Sequence, residues 1–506
     1  MTLRGPRRRR AVAFGLALSS LALAACTGTG APSPRPTPSH APYSARPNIV
    51  YVLTDDLSAN LVPYMPHVRA LSATGTTFDN YSVTDSLCCP SRASIFTGKY
   101  PHNSHVFTNI PPDGGMIIYN RYGGPAASYG TALQRSGYRT ALLGKYLNNY
   151  MPGKKVAGLA ENYRPQGWST WGVAGNGYPE YGYKLNHDGV VRKYGHEPED
   201  YLTRVVTKLG VGFIEQSVRD RKPFALELST FAPHAPYTPD PQDADSFLDL
   251  KAPRVPSFDR KPAHMPRWLS LAPRSLSRKN IAEIDRSFVK RVQAVQSVDR
   301  AIGTLQAALR RTGQLRNTVF VFNSDNGYHL GEHGLREGKR TAFDTDVHVP
   351  LVVSGPGIPA GATSHAMVEN IDLAPTFLDL AGVHVPATMD GHSVVPLLRG
   401  KSVPWRTRAL VEHHGVGNHP GDPDTQPIGA GYPPTYDSLR GPDWTYVRYS
   451  DGEREYYDRA TDPWENDNLA GSLTPARRAE LNRQLTALTS CHGGAQCWAA
   501  GRPARS

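Results

Sequence analysis

The sequence predicts an α/β fold built on a largely parallel central sheet. Three observations carry this. Short apolar runs recur along the chain: NIVYVL (48–53), RTALL (139–143), FALELS (224–229) and TVFVFN (318–323). Helical spacing lies between them, most clearly over 281–311, where apolar residues return every three or four positions. Each run then passes into polar or charged residues. Strands alternating with helices make parallel units, and ligands of such sheets bind beyond the carboxyl ends of the strands.

Before the first strand, MTLRGPRRRR is a basic leader and AVAFGLALSSLALAAC a short apolar stretch ending in small residues. Residues 1–25 read as an export signal, too short for a comfortable membrane span. Leu23-Ala24-Ala25-Cys26 resembles a bacterial lipoprotein box, with lipid attachment at Cys26; an ordinary signal peptide is the alternative. Residues 26–46, rich in Pro, Ser and Thr, read as an extended tether. The expected location is outside the cell, anchored to its surface through the lipid, or secreted.

The 506 residues are 39% hydrophobic, enough for a large core, and Gly 47 with Pro 44 implies many turns. Removing residues 1–25 takes away five arginines and no acid, lowering the net charge from +12 to +7. That mild excess suits an anionic substrate or an acidic envelope, or simply an arginine-rich surface; no nucleic-acid module is visible. Cys491 and Cys497 bracket CHGGAQC and are expected to pair in an exported protein, with metal binding the lesser reading.

The strand ends define a pocket. Asp55 and Asp56 follow the first strand, Lys145 the second, His234 the third, and Asp325 with Asn326 the fourth. Asp55, Asp56, Asp325 and Asn326 offer only oxygen donors, which suits calcium, with magnesium the alternative, and not zinc. The basic residues Arg92, Lys99, Lys145 and Lys339 would be misplaced in a plain calcium loop; with a metal they describe a site for a tetrahedral oxyanion. In TDSLCCPSRASIFTGKYPHN (84–103), Cys88 and Cys89 stand side by side at a helix start, with Pro90 suited to the first helical position. Adjacent cysteines rarely pair. A cysteine at a helix N-terminus is expected to have a lowered pKa and to be a candidate nucleophile.

Cys88-Cys89-Pro90-Ser91-Arg92, followed by Thr97-Gly98, resembles the sulfatase signature C-x-P-S-R. The resemblance extends over roughly 46–480, through GKYLN (144–148), FAPHAPYTP (231–239), SDNGYHLGEHG (324–334), HVPLVVSGPGI (348–358) and DGHSVVPLLRG (390–400). It looks most like the N-acetylglucosamine-6-sulfatase branch and bacterial arylsulfatase-like relatives. It implies an alkaline-phosphatase-like sandwich: a large mixed sheet between helices over 47–400, then a C-terminal subdomain with an antiparallel sheet over 401–506, its strands including WTYVRYSDGEREYYD (444–458). It also implies conversion of Cys88 to formylglycine by a dedicated generating enzyme. Calcium would be held by Asp55, Asp56, Asp325, Asn326 and residue 88. Arg92 would neutralise charge at residue 88, Lys145, His234 and Lys339 would contact the sulfate ester, and Lys99 would stand behind them. Cys89 falls at the variable position and His333 reads as structural.

The implied reaction is hydrolysis of a sulfuric ester on a sulfated carbohydrate or aryl sulfate. In one respect the chain departs from the family: many members place a histidine two or three residues after the lysine of the G-K segment, where this sequence has Leu147 and Asn148. Asn148 could bind the ester, and His105 and His329 are candidate replacements for the missing base. Two other functions remain open: a phosphonate or phosphate ester hydrolase on the same fold, and a catalytically silent lipoprotein that binds sulfated glycans.

Overall fold

The computed structural model describes residues 46–415, 422 and 424–502. The signal, Cys26 and the tether apart from Arg46 lie outside the described residues. In chain order the strands are β1 (Asn48–Thr54), β2 (Gly75–Phe78), β3 (Tyr81–Ser82), β4 (Arg139–Gly144), β5 (Thr170–Ala174), β6 (Lys184–His187), β7 (Val190–Lys193) and β8 (Phe224–Ser229). They continue as β9 (Thr318–Ser324), β10 (Leu351–Ser354), β11 (Ala362–Ser364), β12 (Val368–Glu369), β13 (Ala409–His413), β14 (Tyr436–Arg440), β15 (Trp444–Tyr449) and β16 (Arg454–Asp458).

A ten-stranded sheet runs in the order β11-β2-β10-β9-β1-β8-β4-β5-β6-β7. Its centre, β9-β1-β8-β4-β5, is parallel, whereas β10, β6 and β7 pair antiparallel with their neighbours. The four expected strands are therefore this central core, and the sheet as a whole is mixed. A separate antiparallel sheet, β13-β14-β15-β16, lies later in the chain; β15 and β16 cover the anticipated 444–458 segment.

Side chains of β1 alternate between two cores, as the strand period requires. Ile49, Tyr51 and Leu53 face the side carrying the helices Cys88–Thr97 and Leu373–Leu380. Val50 and Val52 face the side carrying Leu202–Arg219 and the long helix Arg278–Arg311. Burying each such side chain is worth roughly 1.5–3 kcal/mol, so a strand apolar on both faces is fixed at the sheet centre. The polar residues after its carboxyl end are then delivered to one edge. Among the described residues no helix is long and apolar enough to cross a membrane.

Candidate active site

The Cys88–Thr97 helix is buried along its whole length. It ends at Gly98 in the left-handed region (φ 65°), where a Cβ would stand 3.2 Å from Met389 and Pro375, so the Thr-Gly of the motif is a steric requirement. Helical geometry begins at Cys88, which makes Pro90 the third helical residue, not the first as the sequence suggested. The change is harmless because first-turn N–H groups have no intrahelical partner; that of Cys89 donates instead to Asn109 Oδ1 at 3.0 Å.

The ends of β1 and β9 bring Asp55, Asp56 and Asp325 to Cys88, with one donor atom from each within 4.8 Å of the others. Cys88 Sγ lies 3.2 Å from Asp55 Oδ1 and 3.8 Å from Asp56 Oδ1. Asp56 has a left-handed backbone (φ 61°), which turns the second carboxylate inward. Arg291, buried in the long helix, donates to the Asp56 carbonyl at 2.6 Å. Asn326 donates to Asp56 Oδ1 at 2.7 Å, while its own Oδ1 is buried without a partner.

Cations ring this group. Arg92 donates from Nε to Asp325 at 2.7 Å and from a terminal nitrogen to Ser229 Oγ at 2.5 Å. Lys145 Nζ meets Asp55 Oδ2 at 2.6 Å. It is placed by Gly144, where a Cβ would come within 1.8 Å of the Ser229 carbonyl oxygen; only glycine allows that approach. Lys339 Nζ reaches Asp56 Oδ1 at 2.7 Å, Cys88 Sγ at 2.8 Å and Asp424 Oδ1 at 3.1 Å. His234 shares Nδ1 with the Ala235 carbonyl at 2.8 Å, which leaves Nε2 toward Asp424 and, at 3.6 Å, Asp56.

Burial opposes the charges on Lys145 and Lys339, but Asp55 beside the first and Asp424 with Asp56 beside the second hold both ammonium groups well above their ordinary range. Burial likewise works against Asp325, and Arg92 and Lys145 overcome it, so the carboxyl stays below its usual value. Cys88 behaves oppositely to the sequence expectation. Burial, then the negative charges of Asp424 and Asp55, push its thiol well above the ordinary value. The helix N-terminus does not prevail, and an unmodified Cys88 is a protonated thiol.

Asn148 joins the site, donating to Tyr178 Oη at 3.3 Å and Asp424 Oδ2 at 3.4 Å. Three other candidates do not. Lys99 lines a separate hollow with Ala126, Arg135 and Met389. His105 caps a short helix and stacks on Tyr122, ring centres 4.0 Å apart. His329 spends both ring nitrogens on Asp346 (2.9 Å) and the Ala430 carbonyl (2.8 Å), bracing the Lys339 segment. Cys491 and Cys497 form a disulfide.

The sequence reading missed Asp424 and its supports. Asp424 is buried among His234, Lys339, Asn109 and Asn148, and burial is overcome by Lys339 and His234 to hold it well below the usual carboxylate range. Arg340 ties it in place through Asp422 (3.0 Å) and the Asp424 carbonyl (2.9 Å). Beside this group a cavity of about 440 Å³ opens along Lys145, Asn148, Tyr178, Tyr183 and Phe231.

The donor set fits a hard divalent cation. Asp55, Asp56, Asp325 and Asn326 supply buried oxygens, the orphaned Asn326 Oδ1 is a donor left over, and Arg92, Lys145 and Lys339 leave room for an anion beside the metal.

A cysteine-led helix, an acidic cluster and a cationic rim at the carboxyl edge of an α/β sheet describe a hydrolase for oxyanion esters. The chain belongs to the sulfatase family: the model described as Sulfatase matches residues 47–383, and one described as N-sulphoglucosamine sulphohydrolase, C-terminal, matches 331–490. It is a sulfuric ester hydrolase. The chain is 36% identical over 474 residues to N-acetylglucosamine-6-sulfatase of Homo sapiens, spanning 88% of this chain and 85% of that one. It is 27% identical over 501 residues to an arylsulfatase of Volvox carteri, spanning 88% and 75%. Its fold resembles that of a protein solved with its substrate D-glucosamine-2-N,6-O-disulfate (TM-score 0.72, 24% identity, 87% of this chain and 97% of the other). It also resembles a phosphonate monoester hydrolase from Silicibacter pomeroyi (TM-score 0.67, 24% identity, 87% and 93%).

Proposed function

We propose that this chain releases inorganic sulfate from the 6-position of an N-acetylglucosamine-like sugar in a sulfated glycan. The observation that carries the reaction is the meeting of Cys88 with Asp55, Asp56 and Asp325 inside a ring of Arg92, Lys145, His234 and Lys339. The sugar is proposed from the 36% identity to N-acetylglucosamine-6-sulfatase over nearly the whole chain.

Formylglycine made from Cys88 would supply the nucleophilic oxygen that a protonated thiol cannot, and its second hydroxyl would allow sulfate to be expelled again. Calcium held by Asp55, Asp56, Asp325 and Asn326 would polarise the sulfate oxygens and favour ionisation of that nucleophile. Lys339, beside residue 88, and Lys145, paired with Asp55, neutralise charge building on the equatorial oxygens. Arg92, bound to Asp325 and Ser229, keeps the helix start fixed against the carboxylates. His234 Nε2 or Lys339 Nζ gives a proton to the departing sugar oxygen. Asn148 and Tyr178 bound the sugar side. Cys88 is buried in the folded chain, so its modification by the generating enzyme precedes closure of the site. The mature protein is proposed to be exported and lipid-anchored at Cys26.

The test is sulfate release from N-acetylglucosamine-6-sulfate, compared with a phosphonate monoester and a phosphate ester, alongside the mass of the peptide containing residue 88. Sulfate release with an aldehyde at 88 supports the proposal. Preferred phosphonate turnover would replace it. An unmodified thiol with no turnover would point to a glycan-binding lipoprotein.

A further inference from the structure

The amino ends of the central strands carry a second charged feature, opposite the active site. A hollow of about 380 Å³ is lined by Arg46, Asn48, Arg221, Lys222, Gln314 and Asn317. It lies at the first residues of β1 and β8, whereas the catalytic cluster lies past their last residues. At about 3.3 Å per residue the two are roughly 20 Å apart.

The surface around this hollow is basic. Arg219, Arg221, Lys222, Arg310 and Arg316 are all exposed, and among the described residues none has a carboxylate within 4 Å. The neighbouring acids are taken: Asp220 by Arg139, and Glu215 by Arg311. Cations in a last helical turn complement the helix dipole, which accounts for Arg219 and Arg310. It does not account for Arg221 and Lys222, which lie past the end of their helix at Arg219; Arg316 sits in the short 3-10 turn Leu315–Asn317 after the long helix. Arg221 holds a left-handed backbone (φ 53°), a position glycine would take with less strain.

We propose that this basic face docks on the phosphate groups of an anionic phospholipid surface. Two things favour a bilayer over other polyanions. The charge is spread across an edge rather than gathered in a deep pocket. The chain also leaves this face at Arg46, which lines the hollow, toward the segment that bears Cys26, the candidate lipid-attachment residue. The anchor would raise the local concentration of the face at the membrane, and the cations would turn it inward. The active site, at the far edge of the sheet, would then open away from the bilayer toward glycan.

The experiment uses the mature chain, residues 26–506, carrying Cys26→Ser, with and without R219Q, R221Q and K222Q, so that the tether is the same in both proteins. Each is sedimented with vesicles of phosphatidylcholine alone or with 30 mol% phosphatidylglycerol, at low and high salt. Each basic residue near an anionic surface is worth roughly fivefold in binding. The triple variant should bind the anionic vesicles at least about tenfold more weakly, raised salt should remove most of the difference, and turnover of a small soluble sulfate ester should be unchanged. A second set, R310Q with R316Q, should act in the same direction. Equal binding by parent and variants, or equal binding to neutral vesicles, overturns the proposal. Retention by a sulfated polysaccharide that the triple variant loses, without vesicle binding, overturns it in favour of a glycan-docking face.

Discussion

Lys339 Nζ lies 2.8 Å from Cys88 Sγ. The same ammonium reaches Asp56 and Asp424, so one cation joins the proposed nucleophile position to the metal-type carboxylates and to the C-terminal segment. Removing a preorganised charge of this kind costs about 100- to 1000-fold in turnover. Lys339→Met should therefore lower kcat on a small aryl sulfate by that order, and should also lower the melting temperature because Asp56 and Asp424 lose a buried charge partner. Lys339→Arg should not restore it, because a planar guanidinium does not fit a point-charge position. Activity near wild type in Lys339→Met would remove Lys339 from the reaction.

The paired cysteines should separate cleanly. Burial pushes the Cys89 thiol up to about 12, and its side chain belongs to the apolar core beside Ala93 and Phe96. Cys89→Ala should stay active and lose at most about 2 kcal/mol of stability from the small cavity. Cys88→Ala should fold and have no measurable turnover. Paired measurements of kcat and denaturant midpoint check both. A folded, modified but inactive Cys89→Ala protein would contradict the core assignment.

Asp325 connects the metal-type group to Arg92, so its loss should register without any catalytic assay. Calcium that binds only the folded chain raises the melting temperature in proportion to log concentration once it exceeds Kd. In Asp325→Ala that rise should vanish and sulfate release should fall with it. An undiminished calcium response in the variant would exclude Asp325 as a ligand.

Much of this arrangement was legible because it is local. NIVYVL and TVFVFN are apolar on both faces, which only a central strand satisfies, and Asp55, Asp56, Asp325 and Asn326 come directly after them. The signature at 88–92 is likewise a single helix start. Lys99, His105 and His329 misled because their chemistry suited the pocket, yet nothing in the sequence says which way a loop side chain points. Asp424 was missed for the reverse reason. Nothing local marks GDPDTQP as part of a site, and its meeting with His234 spans 190 residues of sequence. The Arg340 hydrogen bonds that carry it inward are visible only in three dimensions.

That missed residue gives its own test. Asp424→Ala would leave Lys339 and His234 without a shared carboxylate and free Asn148 and Asn109. On the sugar substrate, kcat/KM should fall more than about tenfold, in line with truncating a buried charge partner. Asp424 meets Asp56 from the His234 side and is not among the Asp55, Asp56, Cys88 and Asp325 set, so the metal response seen by melting temperature should be kept, and its loss would make Asp424 a ligand. Unchanged kcat/KM would limit Asp424 to a structural brace.

Acid stability should depend on a histidine remote from the chemistry. His333 is buried, stacks on Phe343 with ring centres 3.7 Å apart, and has a buried Nδ1 without a partner. Burial, with His329 and Lys261 nearby, lowers its pKa to about 3, against about 6.5 in an unfolded chain. The folded pKa is depressed, so the unfolded state takes up a proton that the folded state refuses. Stability is fully present above about pH 6.5 and is lost as pH falls toward 3, at about 1.4 kcal/mol per pH unit. At about pH 4.5 the loss from this one group is about 3 kcal/mol. His333→Asn, which tolerates the left-handed backbone (φ 55°), should be less stable than wild type at pH 7.5 but should lose less on acidification. Urea midpoints at the two pH values measure the difference. Parallel losses in the two proteins would show that His333 is not held neutral by the fold.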